Sequence, residues 1–187
     1  MQTISIMNKQ VLFIQGGGAK EDYAADAKLV ASLKKALGES YQVHYPFLPA
    51  ESAPDFGRKV QIDKEISTFK SEIILAGHSL GASMLLKYLS ESQVQKKIAG
   101  IFLLSTPFWS GHEDWVQGLK LKGNFADKLP KDVPIFLYHC LDDEEVPFDH
   151  LQLYAQNLPQ AIIREITSGG HQFNNDLSLV AKDIKSL

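Results

Sequence analysis

A serine with glycines two residues away on either side is the most informative feature of the sequence. The pentapeptide Gly77-His78-Ser79-Leu80-Gly81 lies between a strand-like apolar run and a helix-like run. A serine hydroxyl is a weak nucleophile, so it needs exposure, a nearby base and groups that stabilise negative charge. A sharp turn from strand to helix would expose the hydroxyl, and the glycines leave room for the tight backbone. The pattern predicts nucleophilic catalysis by the serine.

The groups that could activate Ser79 follow it in the required order. Asp142 and Asp143 come after one predicted strand, and His171 comes after the next. In enzymes with this type of turn the acid and then the histidine follow the serine, each at the carboxyl end of a strand. The histidine would take the serine proton and later give it to the leaving group, while an aspartate holds the imidazole in the productive tautomer. The order alone does not decide which of the two aspartates is the acid.

Negative charge on the substrate oxygen requires two backbone N–H donors. The amide of Leu80, directly after the serine, is the first predicted donor. The second is expected in the glycine-rich turn after the first strand, at Gly17 or alternatively at Gly18. A dinucleotide site at this turn is disfavoured, because the spacing is not G-x-G-x-x-G and acidic residues follow.

Short apolar runs alternate with segments of helical period along the chain, which predicts an α/β fold with a mainly parallel sheet and helices on both faces. We expect a single domain over residues 1–187. The more polar runs should be edge strands, and these are Tyr41–Tyr45 and Ala161–Ile166. The predicted strands are Val11–Gln15, Tyr41–Tyr45, Glu72–Ala76, Ile98–Ser105, Val133–His139 and Ala161–Ile166. The predicted helices are Ala24–Leu37, with Ala25 on its apolar stripe, Phe56–Phe69, with Val60 on its stripe, Leu80–Leu89, Asp149–Leu158 and Leu177–Ile184.

A long connection, Thr106–Pro130, leaves the carboxyl end of the predicted fourth strand, close to Ser79. It carries Phe108, Trp109 and Trp115. Loops of this length are often functional, and this one is too aromatic for a linker. We therefore predict that these aromatic side chains line a substrate pocket.

Composition excludes several other classes of protein. The 187 residues have 19 basic and 22 acidic side chains, without the basic excess typical of nucleic-acid or anionic-membrane binding. The single cysteine excludes an internal disulfide and a CxxC metal motif, and the acidic cluster Asp142–Glu145 has no second oxygen-rich segment to complete a metal site. No apolar run is long enough to cross a bilayer, and residues 1–10 lack a secretion-signal pattern. A cytoplasmic protein without a metal or cofactor is expected.

The remaining histidines and the cysteine are predicted to have no direct role, since no partner pattern surrounds them. For His78 the sequence leaves two alternatives: the side chain shapes the site, or it has no functional role. The others are His44, His112, His139, His150 and Cys140.

These motifs resemble the α/β-hydrolase superfamily, and within it the small, lid-poor serine hydrolases of the retinoblastoma-binding-protein type. The resemblance runs from the glycine-rich turn to the histidine turn. It implies strand order 2-1-3-4-5-6 with a minimal cap, and an acid in an Asp-x-x-Val-Pro pattern, which Asp143 matches and Asp142 does not. Gln15 stands where relatives usually have a histidine.

The resemblance and the residues together imply a serine hydrolase that cleaves a small ester, thioester or amide through an acyl-enzyme. The expected partner is a small-molecule acyl substrate. An acyltransferase with the same three residues is an alternative. A non-catalytic interaction module is a second alternative, but a binding role would not require Ser79, Asp143 and His171 together.

Overall fold

The computed structural model describes residues 8–187. The interpretation that the N-terminus has no secretion signal depends largely on residues 1–7, which lie outside the described part. The strands are β1 (Lys9–Ile14), β2 (Tyr41–His44), β3 (Ile73–His78), β4 (Ile98–Leu104), β5 (Ile135–Cys140) and β6 (Ile162–Ile166). The helices are α1 (Lys20–Leu37), α2 (Arg58–Thr68), α3 (Leu80–Glu91), α4 (Asp114–Gln117), α5 (Phe125–Lys128), α6 (Asp149–Asn157) and α7 (Ser178–Lys185), and a 3-10 turn spans Phe173–Asn175.

The six strands form one sheet in the order β2-β1-β3-β4-β5-β6, and all five strand pairs are parallel. The predicted α/β fold and strand order are therefore confirmed. Strands β3 and β5 are buried throughout, whereas the edge strands β2 and β6 are partly exposed. Apolar character on both faces of the inner strands explains why their sequences do not alternate.

Two apolar cores separate the sheet from its helices. Helices α1 and α7 cover one face, and α2, α3, α5 and α6 cover the other. Helix α3 is buried along most of its length, as its sequence predicts. Because all strands are parallel, the loops after β1, β3, β5 and β6 meet at one edge of the sheet, where α/β proteins form their sites.

Two helices differ from the sequence-based expectation. Helix α1 begins at Lys20 instead of Ala24, and the buried position at its start is Asp26, while Ala25 is only half-buried. In α2 the predicted apolar position Val60 is wrong, since its side chain is 74% exposed. The other predicted apolar positions of these helices are buried, and a charged residue, Asp26 or Arg58, occupies a further buried position in each helix.

The connection 106–130 contains α4 and α5 and packs over α3. The indole Nε1 of Trp109 donates to Ser83 Oγ at 2.9 Å, and Lys87 Nζ donates to the Lys120 carbonyl at 2.7 Å. Among residues 8–187, no helix combines the length and the apolar character that a membrane span needs.

Candidate active site

Ser79 lies at the junction of β3 and α3 in a backbone conformation that is rare for a residue with a side chain. Its φ is 51° and its ψ is −126°. A Cβ atom at Gly81 would lie 2.1 Å from the Gln15 carbonyl oxygen, and one at Gly77 would lie 2.9 Å from the Ala82 backbone. Both glycines are therefore required by close contacts, and the predicted strand–turn–helix geometry around Ser79 is present.

The imidazole of His171 contacts Asp143. Its Nδ1 lies 3.0 Å from both carboxylate oxygens, and the Asp143 side chain is fully buried. The same carboxylate accepts the amides of Glu145 and Val146 at 2.9 Å each. Burial alone would raise the pKa of Asp143, but hydrogen bonds from His139, His171 and the Val146 amide outweigh it and keep that pKa far below its usual range. An ionised acceptor at Nδ1 places the His171 proton there and leaves Nε2 as a base.

Asp142 has a different environment from its neighbour. It accepts the backbone amides of Gly169 and Gly170 at 2.9 Å, and these bonds lower its pKa. The adjacent Glu144 accepts the His171 amide at 3.0 Å. Asp142 and Glu144 therefore hold the loop that carries His171, while Asp143 alone of the two candidate aspartates reaches the ring.

Ser79 and His171 line one cleft of about 210 Å³. In residues 8–187 no hydrogen bond joins Ser79 Oγ to His171 Nε2, and the latter lies 3.5 Å from Oε2 of Glu145. The Glu145 side chain is 66% exposed, so it is free to move away. Hydrogen bonds between nucleophile and base are often long before substrate binds. The cleft brings the two side chains together.

The turn after β1 is held from beneath by Arg58. This fully buried guanidinium donates to the carbonyl oxygens of Gly16 and Gly17. In a trans peptide the N–H opposes the carbonyl of the preceding residue, so the amides of Gly17 and Gly18 point away from Arg58. Within the described chain, neither amide is used as a donor, and Gly17 but not Gly18 lines the cleft.

Leu80 also lines the cleft, and its amide, at the N-terminus of α3, has no acceptor in the described residues. The Gln15 side chain, at the position of the family histidine, fixes the turn from the other side. Its Nε2 donates to the Gly17 carbonyl at 2.9 Å, and its Oε1 accepts the Leu48 amide at 2.8 Å. These two bonds anchor the turn.

The three predicted pocket aromatics lie elsewhere. Phe108 and Trp109 are half-buried against the core beside α3, and Trp115 is 58% exposed with its ring 5.6 Å from that of Trp109. None of the three lines the cleft that contains Ser79. Their role in a pocket stays a prediction.

Sequence reasoning missed two buried charged residues at the site, Asp26 and Arg58, and left His78 open. Asp26 and His78 pair at 2.9 Å, and both line the cleft that contains Ser79 and His171. The signal that could have found Asp26 is its place in the apolar stripe of α1, where a carboxylate needs a partner.

Two of the histidines that were predicted to have no direct role make structural contacts. His139 donates to the Val146 carbonyl at 2.9 Å, and His150 accepts the Phe108 amide at 3.0 Å. Burial and the nearby carboxylate of Asp142 raise the pKa of Cys140 to about 12, which disfavours the reactive thiolate. No group of three or more His, Cys, Asp or Glu side chains in the described part of the chain could hold a metal ion.

Comparison with known proteins identifies the family. Residues 51–178 match the model of the phospholipase/carboxylesterase family, so the chain belongs to this family of esterase-like α/β-hydrolases. A relative is acyl-protein thioesterase 1 of Aspergillus fumigatus, 34% identical over 110 residues. That match spans 58% of this chain and 41% of the relative, less than half of its length.

Solved structures show the same fold. The ydeN gene product of B. subtilis has a TM-score of 0.72 and 21% identity, with 96% of this chain and 98% of that chain covered. Est1E of Butyrivibrio proteoclasticus has a TM-score of 0.69 and 15% identity, with 99% and 88% covered. SOBER1 of Arabidopsis thaliana has a TM-score of 0.67 and 16% identity, with 96% and 98% covered.

Proposed function

We propose that this protein hydrolyses a small ester, thioester or amide through a covalent acyl intermediate on Ser79. The observation that carries the proposal is the Asp143–His171 pair, whose Nε2 faces the cleft opened by the serine turn. Membership of the phospholipase/carboxylesterase family supports carboxylic ester chemistry.

The proposed reaction has two stages. Ser79 Oγ attacks the acyl carbonyl carbon while its proton passes to Nε2 of His171, and the ionised Asp143 stabilises the imidazolium. The amides of Leu80 and Gly17 donate to the oxyanion, with Gly18 as the alternative to Gly17. When the tetrahedral intermediate collapses, the bond to the leaving group breaks and that group takes the proton. Water then attacks the acyl-enzyme by the same route and releases the acid.

The substrate class follows from the cleft and from the relative. Acyl-protein thioesterase 1 supports a thioester among the candidates. The longest connection carries only two helices of four residues, which supports an open site and the proposed likeness to the retinoblastoma-binding-protein type. We keep one domain over residues 1–187 and a cytoplasmic location as parts of the proposal.

Activity-based labelling tests the proposed nucleophile. A fluorophosphonate should modify Ser79, and Ser79→Ala should abolish both labelling and ester turnover, because the attacking atom is gone. Ser83→Ala is the matched control, since Ser83 lies on α3 outside the cleft, and it should be labelled like wild type. Turnover that persists in Ser79→Ala would refute the assignment.

The aromatic segment is tested with esters of graded acyl length. If Trp109 and Trp115 contact the acyl chain, replacing either by Ala should shift the length preference by several-fold in kcat/KM. An unchanged profile in both variants removes them from the pocket. Product analysis with added alcohols or thiols separates hydrolysis from acyl transfer in the same assay.

A further inference from the structure

We propose that Asp26 and His78 form a second histidine–aspartate pair, which acts as a positioning pair for the active site. The pair fixes the positions of the His171 backbone and of the turn after β1 relative to the turn that carries Ser79. The inference rests on the proposed function, since it assigns His171 as the base and the turn as an oxyanion site.

Asp26 joins three segments of the site from helix α1. Its Oδ2 accepts the Gly16 amide at 2.8 Å. Its Oδ1 faces Nδ1 of His78 at 2.9 Å and accepts Nε2 of Gln172 at 3.2 Å. These bonds connect the turn after β1, the end of β3 and the loop after β6.

His78 extends the connection to the proposed base. Its Nε2 lies 2.9 Å from the carbonyl oxygen of His171, and the two imidazole rings are 4.6 Å apart. A carbonyl oxygen can only accept, so Nε2 of His78 must carry a proton. The residue before the nucleophile is thereby bonded to the backbone of the base.

The environment of His78 favours an ion pair. Nε2 faces a carbonyl oxygen and Nδ1 faces Asp26, so when Asp26 is ionised the ring carries two protons and the carboxylate carries the compensating charge. Burial lowers the pKa of His78, but the bond and charge of Asp26 outweigh this and raise it. Burial likewise raises the pKa of Asp26, and the bond from His78 brings it below its ordinary value.

Packing alone does not explain this pair. Asp26 is 2% exposed and His78 1%, and Asp26 occupies a stripe position between helix and sheet where an apolar residue would bury without a desolvation cost. Every side-chain hydrogen bond of the pair other than its own goes to a loop that carries a proposed site residue. A displacement of about 1 Å in such a loop costs about 100-fold in rate.

Asp26→Leu tests the inference. We expect kcat and the rate of fluorophosphonate labelling at Ser79 to fall about 100-fold while KM changes less than about three-fold, because the displaced groups act mainly in the transition state. Asp26→Asn can donate to Nδ1 and still accept the Gly16 amide, so a neutral His78 keeps its bond to His171. This conservative variant should retain activity within about ten-fold of wild type.

A second buried carboxylate provides the matched control. Asp183 on α7 accepts Tyr138 at 2.8 Å and Arg164 at 2.9 Å, away from the cleft. Asp183→Leu should lower the free energy of unfolding without changing kcat by more than about three-fold. The inference is overturned if Asp26→Leu loses stability but labels at the wild-type rate.

A further variant covers the case in which Asp26→Leu does not fold. His78→Gln can satisfy only one of the two acceptors, so its labelling rate should fall about 30-fold, and a wild-type rate would overturn the inference. Failure of wild type itself to be labelled at Ser79 would instead refute the proposed function. The two failures are therefore distinct.

Discussion

The Asp143–His171 pair and the Asp26–His78 pair lie side by side and differ at a single ring nitrogen. In both, a buried carboxylate faces Nδ1 at 2.9 to 3.0 Å, and each side chain is at most 3% exposed. Nε2 of His171 faces the cleft, whereas Nε2 of His78 faces a backbone carbonyl. The same two residue types therefore suit a base in one place and a fixed donor in the other.

The contrast depends on where each proton must be. A base needs a free lone pair on Nε2, so the proton of His171 must stay on Nδ1, as the carboxylate of Asp143 requires. His78 instead needs a proton on Nε2 for the His171 carbonyl, whether or not Nδ1 is also protonated. One substitution, aspartate to asparagine, should consequently act differently on the two pairs.

The largest expected effect is that of Asp143→Asn. The asparagine amide would donate to Nδ1 and move the ring proton to Nε2, which removes the base and should lower kcat by about 10⁴-fold. Asp26→Asn forces the same tautomer on His78, where it preserves the needed bond, so its loss should stay within about ten-fold. Steady-state kinetics of both variants measure the two losses in kcat. Equal losses would contradict the proposed difference between the two pairs.

A smaller effect is expected in the pH dependence of stability. The lowered pKa values of Asp26 and Asp143 mean that unfolding takes up protons in acid, so the free energy of unfolding should fall below about pH 5. The raised pKa of His78 stabilises the fold below about pH 6.5, and this contribution should be lost as the pH rises further. The charged or titratable groups nearby are Arg58 and Tyr45 around Asp26, and His171 and Asp143 around His78.

Chemical denaturation from pH 3 to 9 separates the two pairs. In Asp143→Asn the free energy of unfolding should become less dependent on pH on the acid side only. In Asp26→Asn it should become less dependent on pH on both sides, because a neutral His78 no longer requires a second proton. An unchanged alkaline side in Asp26→Asn would argue against a charged His78 in the wild-type fold.

The smallest effects are expected at the outer contacts of each pair. Gln172→Ala removes one bond to Asp26 at 3.2 Å, and Glu144→Gln removes the charge on the acceptor of the His171 amide. Each should lower kcat by no more than about three-fold, since the remaining bonds hold each loop. A loss above about 30-fold in Gln172→Ala would show that the outer amide, and not His78, carries the positioning.

The sequence predicted the parts of the site that obey order and periodicity. The buried α3 was predicted correctly from periodicity. The resemblance to the α/β-hydrolase superfamily implied the correct sheet order and, through the Asp-x-x-Val-Pro pattern, the aspartate that contacts His171. The turn at Ser79 was predictable because its glycines are required by backbone contacts at Gln15 and Ala82.

The parts that were missed depend on contacts between distant segments. Periodicity marks apolar positions, so it could not place Asp26 or Arg58 in a stripe or exclude the exposed Val60. The partner of Asp26 is 52 residues away in His78, and no local pattern links them. The position of Trp109 could not be predicted either, because its hydrogen bond to Ser83 depends on the path of a long connection.

The buried guanidinium of Arg58 has a consequence for protein engineering. It reaches the glycine-rich turn from helix α2, 41 residues later in the chain than Gly17. A chimaera that received only residues 15–18 would keep the bond from Gln15 to the Gly17 carbonyl but lack the bonds from Arg58 to the Gly16 and Gly17 carbonyls. Transplanting the oxyanion turn to another scaffold therefore requires the start of α2 as well.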